Sequence, residues 1–169
     1  MTFRVVIPAR HASTRLPGKP LLRIAGRSLL QWVHERALAS GATEVLVATD
    51  DERILDHARS FGAQAMLTAA THASGTDRIA EVARARGWAA GDIVVNLQGD
   101  EPLMRTELVA QVAALLAGDP EADIATLAAP LAGPGAWTDP NVVKVVADAR
   151  GRALYFSRAS IPCDRDAVL

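Results

Sequence analysis

Short apolar runs alternate with amphipathic stretches along most of the 169 residues. Residues 3–7 form a run of the first kind and predict a strand. Residues 28–40 are of the second kind: Leu29, Leu30, Val33, Ala37 and Leu38 recur at helical spacing, and Gly41 supplies the stop. Residues 44–48 predict a second strand. Asp50 or Asp51 caps the next helix, whose inner face is Ile54, Leu55, Ala58 and Phe61 and which Gly62 ends. Gln64–Leu67 is a short strand. Thr76 or Asp77 caps a helix to about Arg86, with Ile79, Val82 and Ala83 turned inward. Residues 93–97 read as a strand buried on both faces, as in a parallel sheet. Thr106–Ala117 is a helix that uses Leu108, Val109, Val112, Leu115 and Leu116. Residues 124–128 predict a strand, and 141–147 with 152–157 predict a hairpin across Asp148-Ala149-Arg150-Gly151.

This alternation implies an α/β fold: a Rossmann-like, mainly parallel sheet with helices on both faces, made mixed by the late hairpin. Ligands of such sheets bind beyond the carboxyl ends of the strands. No repeat, low-complexity tract or linker divides the chain, so residues 1–169 read as a single domain.

Composition narrows the class. Half the residues are hydrophobic, which excludes a disordered chain, and a net charge of −1 argues against a general nucleic-acid binder. No apolar stretch is long enough to cross a membrane, and the first 25 residues lack the pattern of a signal peptide. The one cysteine, Cys163, excludes an internal disulfide framework and fits a reducing compartment, as a bystander thiol.

Charge changes the picture at the start of the chain. No Asp or Glu precedes Glu35, whereas Arg4, Arg10, Arg15, Lys19, Arg23 and Arg27 all do. Three of these cations fall in the loop after the first strand, with Ser13, Thr14, Gly18 and the prolines Pro8, Pro17 and Pro20. Cations so close repel one another unless an anion sits between them. The prolines restrict the loop, so less order must be gained on binding. Either a polyphosphate cradle or a solvated basic loop satisfies the composition. The G-x-x-x-x-G-K-[ST] spacing is not met, since Ser13 and Pro20 occupy the diagnostic positions, and no G-x-G-x-x-G occurs.

Three further groups carry chemistry. Gln98-Gly99-Asp100-Glu101-Pro102 leaves the most buried strand, and its adjacent carboxylates suit either a turn or a hard cation. Ser74-Gly75-Thr76-Asp77-Arg78 opens a helix, where free N–H groups suit an anion or a base edge and also a plain cap. Tyr155-Phe156-Ser157-Arg158 ends the hairpin on an Arg, a residue that grips carboxylates in bidentate fashion or simply faces solvent. His11, His34 and His57 have no metal-like spacing, and His72 reads as a polar loop residue.

The first loop, A-R-x-x-S-T-R-L-P-G-K-P-L, resembles the sugar nucleotidyltransferases. In detail it is similar to the CMP-Kdo synthetase family, the 3-deoxy-manno-octulosonate cytidylyltransferases. The resemblance continues through Ala48-Thr49-Asp50, the segment from His72 to Arg78, the segment from Asn96 to Pro102, the segment from Pro140 to Val145, the segment from Ala153 to Arg158, and Ile161-Pro162. It covers essentially the whole chain, in order and spacing. The family chain continues beyond the position of Leu169, so the sequence reads as the N-terminal portion of such an enzyme, a nucleotide-binding domain truncated at its C-terminus.

The resemblance implies a nucleotidyltransferase that moves CMP from CTP to 3-deoxy-D-manno-octulosonate (Kdo) with release of pyrophosphate, for lipopolysaccharide synthesis in a bacterial cytoplasm. It assigns Arg10, Arg15 and Lys19 to the triphosphate, with Ser13 and Thr14 as added donors. Ala48, Thr49, Asp50, Ser74, Gly75 and Arg78 fall on the cytidine side. Gln98 and Arg158 become candidate sugar contacts. Asp100 becomes the Mg²⁺ ligand, Glu101 a weaker one, and the second metal carboxylate would lie beyond this sequence. The partners implied are CTP and Kdo, with no nucleic acid and no membrane, and a cut sheet edge would favour a homodimer. Two alternatives stay open: a sister cytidylyltransferase for another acidic sugar such as 8-amino-Kdo, and a CTP-binding fragment without turnover.

Overall fold

The structure is a computed structural model that describes residues 1–11 and 16–163. It comprises two compact units, Met1–Ala125 and Thr126–Leu169.

The first unit begins with β1 (Arg4–Ala9) and a 3-10 turn (Lys19–Leu21). A small antiparallel hairpin follows, β2 (Arg23–Ile24) and β3 (Arg27–Ser28). Then come α1 (Leu29–Ala39), β4 (Glu44–Thr49), α2 (Glu52–Ser60), β5 (Gln64–Leu67), α3 (Gly75–Ala85), β6 (Val94–Asn96) and α4 (Thr106–Ala117). β5, β4, β1 and β6 lie side by side in that order and are parallel throughout. The register sets Arg4 beside both Glu44 and Val94, so β1 is central.

The two-residue period of β1 explains the layers. Val5, Ile7 and Ala9 join Val45, Val47, Val95 and Leu97 under Leu30 and Val33 of α1, Ile54 and Ala58 of α2, and Val109 and Ala113 of α4. Val6, with Leu46 and Ala48, faces Ile79 and Val82 of α3. Helices therefore cover both faces, three on one and α3 on the other. Leu30 is fully buried, and truncating such a side chain to Ala costs about 2–5 kcal/mol.

Several details depart from the sequence pattern. Ser74, not Thr76 or Asp77, caps α3. Leu38 and Leu115 point outward, 57% and 58% exposed, while His34 takes an inward position beside Phe61. Residues 124–128 form no strand: Ile124 is 84% exposed and no ladder includes it. An apolar run becomes a strand only against a partner.

The second unit holds α5 (Pro134–Thr138) and an antiparallel hairpin of β7 (Lys144–Ala147) and β8 (Ala153–Ser157). The hairpin is a separate two-stranded sheet rather than an added strand pair of the parallel one. The Asp148 side chain accepts from the backbone N–H groups of Arg150 and Arg152, at 2.8 and 2.9 Å, and so shapes the turn. Lys144 is buried, and its ammonium donates to the carbonyls of Asp139, Val142 and Arg158 at 2.7–2.8 Å. No helix is long and apolar enough to cross a membrane among the described residues.

Candidate functional site

The strand order places a reversal beside β1. The chain runs from β1 outward to β4 and β5, then crosses by α3 to β6 on the opposite side. Loops that leave β1 and β6 therefore part in opposite directions, and the crevice between them is where parallel α/β sheets receive ligands.

The loop after β1 is pinned at both ends. At its start, Arg10 Nη2 donates to the Ala73 carbonyl at 3.4 Å, across to the beginning of α3. At its end, the Gly18 N–H donates to the His11 carbonyl at 2.9 Å. Gly18 has φ +69°, and a Cβ there would lie 3.2 Å from the His11 ring. The 3-10 turn follows at once, with Pro20 buried beneath it. Lys19 is thereby fixed at the rim of the crevice. Ser13, Thr14 and Arg15 lie outside the described residues.

From the other side, β6 delivers Asp100. Lys19 Nζ donates to Asp100 Oδ2 at 2.7 Å. Both side chains are partly exposed, 38% and 49%, and pairs of this kind contribute at most about 1 kcal/mol. Such a lysine can exchange a carboxylate for phosphate oxygens at little cost. Gly99 is what brings the two loops this close, since a Cβ on it would stand 3.0 Å from the Pro8 carbonyl oxygen. Gln98 Nε2 donates to Asn96 Oδ1 at 3.2 Å.

The donor set constrains any metal. Among the described residues no group of three or more His, Cys, Asp or Glu side chains converges. Mg²⁺ commonly takes one or two carboxylates, several waters and the oxygens of a substrate phosphate. A single exposed Asp100 therefore fits an ion carried in with a polyphosphate, not a cage made by protein alone.

The start of α3 closes the third side. Ser74 and Asp77 form a capping box: the Ser74 hydroxyl oxygen accepts from Asp77 N–H at 3.1 Å, and Asp77 accepts from Ser74 N–H at 3.0 Å. The bond from the Ser74 hydroxyl, with help from that backbone N–H, holds the Asp77 carboxyl below its ordinary range. Gly75 is packed on Pro8, since a Cβ would meet the proline ring at 3.3 Å and Gln98 Nε2 at 4.0 Å. The ends of β1, β6 and α3 thus converge, and Arg10, Lys19, Asp100, Gln98, Ser74 and Gly75 share one edge.

Behind this edge lies a polar network. Arg78 is fully buried. Its Nη2 donates to Asp50 Oδ2 at 2.6 Å and its Nη1 to the Thr68 hydroxyl. The Thr68 hydroxyl and N–H both donate to the Thr49 carbonyl, at 3.0 and 2.8 Å. Thr49 and Ala48 are fully buried: the Ala48 methyl serves packing, and the Thr49 hydroxyl oxygen accepts from the Asp51 N–H at 3.2 Å. Next to the network His72 bonds Glu81, which also accepts from Ala69 N–H at 3.0 Å. The His72 contact, then that N–H, holds the Glu81 carboxyl below its ordinary range. Thr68 and Glu81 were not legible as site residues; the one available signal was a polar residue directly after β5.

In the second unit, Arg158 Nη1 donates to the Pro140 carbonyl at 2.9 Å. Cys163 is free and exposed.

Comparison with known proteins gives the family. The cytidylyltransferase family model matches residues 4–169. The chain is 60% identical over 166 residues to a 3-deoxy-manno-octulosonate cytidylyltransferase of Thioalkalivibrio sulfidiphilus, covering 98% of this chain and 66% of that protein. It is 57% identical to the protein of the same description from Cellvibrio japonicus, covering 98% and 65%. Among solved structures, it resembles CMP:2-keto-3-deoxy-manno-octonic acid synthetase complexed with CTP, with a TM-score of 0.87 and 46% identity over 99% of this chain and 68% of that one. A cytidylyltransferase from Leptospira borgpetersenii matches at a TM-score of 0.61 and 26% identity, over 72% of this chain and 51% of that one. The chain spans just under two thirds of the length of the first two relatives. With the nucleotidyltransferase-type parallel sheet already described, these matches establish that the chain belongs to the cytidylyltransferase family.

Proposed function

We propose that the protein carrying this chain transfers CMP from CTP to Kdo and releases pyrophosphate, a bacterial cytoplasmic step of lipopolysaccharide synthesis. The observation that carries the reading is the meeting of Lys19 and Asp100 at the strand-order reversal, 2.7 Å apart, beside the N-terminus of α3. Family membership supplies the nucleotide class, and the names of the relatives supply the sugar.

In this reading the anomeric hydroxyl oxygen of the sugar bonds to the α-phosphorus. The bond from that phosphorus to the bridging oxygen breaks, pyrophosphate leaves, and the hydroxyl proton passes to water. Arg10, Arg15 and Lys19 hold the triphosphate, with Ser13 and Thr14 as neutral donors, and offset charge on the leaving group. Asp50, Arg78, Ser74 and Gly75, with the backbone of Ala48 and Thr49, form the nucleoside side. Gln98 and the Arg158 guanidinium serve the sugar. Asp100 is the ligand for Mg²⁺, which when bound supplies charge neutralisation on the phosphates. Residues 1–169 act as one nucleotide-binding domain, and the partners are CTP and Kdo, with a homodimer as the assembled state.

The lone edge carboxylate favours a second reading for the 169 residues by themselves: a CTP-binding chain with little turnover. Calorimetry with CTP and a pyrophosphate-release assay with Kdo test both. CTP binding with release only in the protein as the cell makes it supports the second reading. Equal affinity for CTP and UTP, or no release with Kdo from that protein, would sink the first.

A further inference from the structure

Arg78 is the largest fully buried side chain of the described residues. Its Nε has no hydrogen-bond partner. A guanidinium removed from water with one donor idle is a poor way to stabilise a core, since an apolar side chain of similar volume would fill the same space without that penalty. The value of the group lies in what its two ends hold. Nη2 takes Asp50, the first residue after β4, at 2.6 Å, and Nη1 takes Thr68, the first residue after β5. Thr68 in turn is bonded twice to the Thr49 carbonyl. The capping box of Ser74 and Asp77 fixes the first turn of α3, from which Arg78 projects. One side chain therefore ties the exits of two adjacent strands to the helix that packs on Pro8.

We propose that Arg78 is a positioning residue of the nucleotide site: it touches no nucleotide and acts through Asp50 and Thr68, setting the loops beyond β4 and β5 at the height the nucleoside half of CTP requires. Asp50 uses one carboxylate oxygen for Arg78, and its side chain is 17% exposed. This rests on the CTP reading above and deepens it, since it divides the site into a base-side scaffold held from within and a phosphate side held by exposed cations. Side chains that orient metal ligands carry roughly 10–100-fold in affinity or activity, and an effect of that order is expected for Arg78.

The test compares two ligands by calorimetry on this chain: CTP, which needs both halves of the site, and inorganic tripolyphosphate, which needs the phosphate side alone. Arg78→Met should weaken CTP by about tenfold or more and leave tripolyphosphate within about twofold. Arg78→Lys, which keeps a cation and folds with less disturbance, should recover part of the CTP affinity. Asp50→Asn should weaken CTP as well, and Arg78→Met added to it should cost less than it does alone, because the two act as a unit. A parallel loss of both ligands, or unchanged CTP affinity in the folded variants, would overturn the positioning role. Failure of the wild-type chain to bind CTP at all would overturn the nucleotide reading and this inference with it. Full additivity of the two substitutions would overturn this inference alone.

Discussion

Lys19 and Asp100 stand 81 positions apart in sequence and 2.7 Å apart in space. Each belongs to a different loop of the strand-order reversal, and each is assigned a different part of a metal–nucleotide complex. In the proposed reading the lysine neutralises the carboxylate at rest, and phosphate oxygens and a cation would separate them on binding.

That arrangement predicts opposite responses to metal removal. Lys19→Met should weaken CTP with Mg²⁺ and with EDTA alike, by about 1.5–3 kcal/mol for a charge-assisted contact. Asp100→Asn should weaken CTP in Mg²⁺ but tighten it in EDTA, because the substitution removes a like charge and frees Lys19. Titrations of both variants under both conditions give four affinities. Equal losses for Asp100→Asn in Mg²⁺ and EDTA would identify Asp100 as a structural turn residue.

Gly99→Ala should act through the backbone. Its Cβ would lie 3.0 Å from the Pro8 carbonyl oxygen, which no side-chain rotation can relieve. We expect a loss of about 1–3 kcal/mol in urea denaturation together with weaker CTP binding, because β1 and the Asp100 loop must part. Unchanged stability and affinity would show that the contact is slack.

Acid should destabilise the first unit before its carboxylates titrate. Burial lowers the pKa of His34 against a small opposing effect of Glu35, and burial with the nearby Arg23 lowers that of His57. The folded state then binds fewer protons than the unfolded one near their ordinary value of 6.5, so stability rises with pH through this range. Ser28 agrees with a neutral His57: its oxygen accepts from Gln31 N–H, leaving its proton for the ring at 2.7 Å. Melting should fall between about pH 7.5 and about pH 5.5, and a variant with Gln at both positions should flatten the slope. An undiminished drop in that variant would place the titration elsewhere.

Lys144→Met should loosen the second unit. It strips three carbonyls of their shared donor, at a cost on the order of 3 kcal/mol. Amide exchange over residues 139–158 should accelerate, while residues 1–125 keep their protection. Protection unchanged across 139–158 would make the ammonium dispensable.

The central strands were legible because strands covered on both faces read as apolar runs, and β1 and β4 fall where residues 3–7 and 44–48 place them; the less covered edge strand β5 falls at 64–67 as well. The cap of α3 lies two or three residues before Thr76 and Asp77, since Ser74 and Asp77 are both good caps and only their reciprocal bonds decide. The short β2–β3 hairpin and α5 span too few residues to show a period. The cations of the first loop could be listed from charge alone, and their clustering is what motivates an anionic ligand. The burial of Arg78 could not be read in that way, because an arginine that follows a helix cap looks like a solvated one until the folded loops enclose it.

β1 has a further consequence for a chain still being made. It leaves the ribosome before the other three strands of its sheet, yet its two neighbours are β4 and β6. At roughly 5–20 residues per second, Lys19 emerges about 4–16 s before Asp100. During that interval the β6 flank of β1 stands unpaired. The nascent segment is a run of cations with no acid before Glu35. Asp50, Thr68 and Arg78 all emerge earlier than Asp100, so the buried Arg78 network can assemble first. Within the parallel sheet the edge between β1 and β6 is then completed last, and it is the part of that sheet most in need of protection from mispairing.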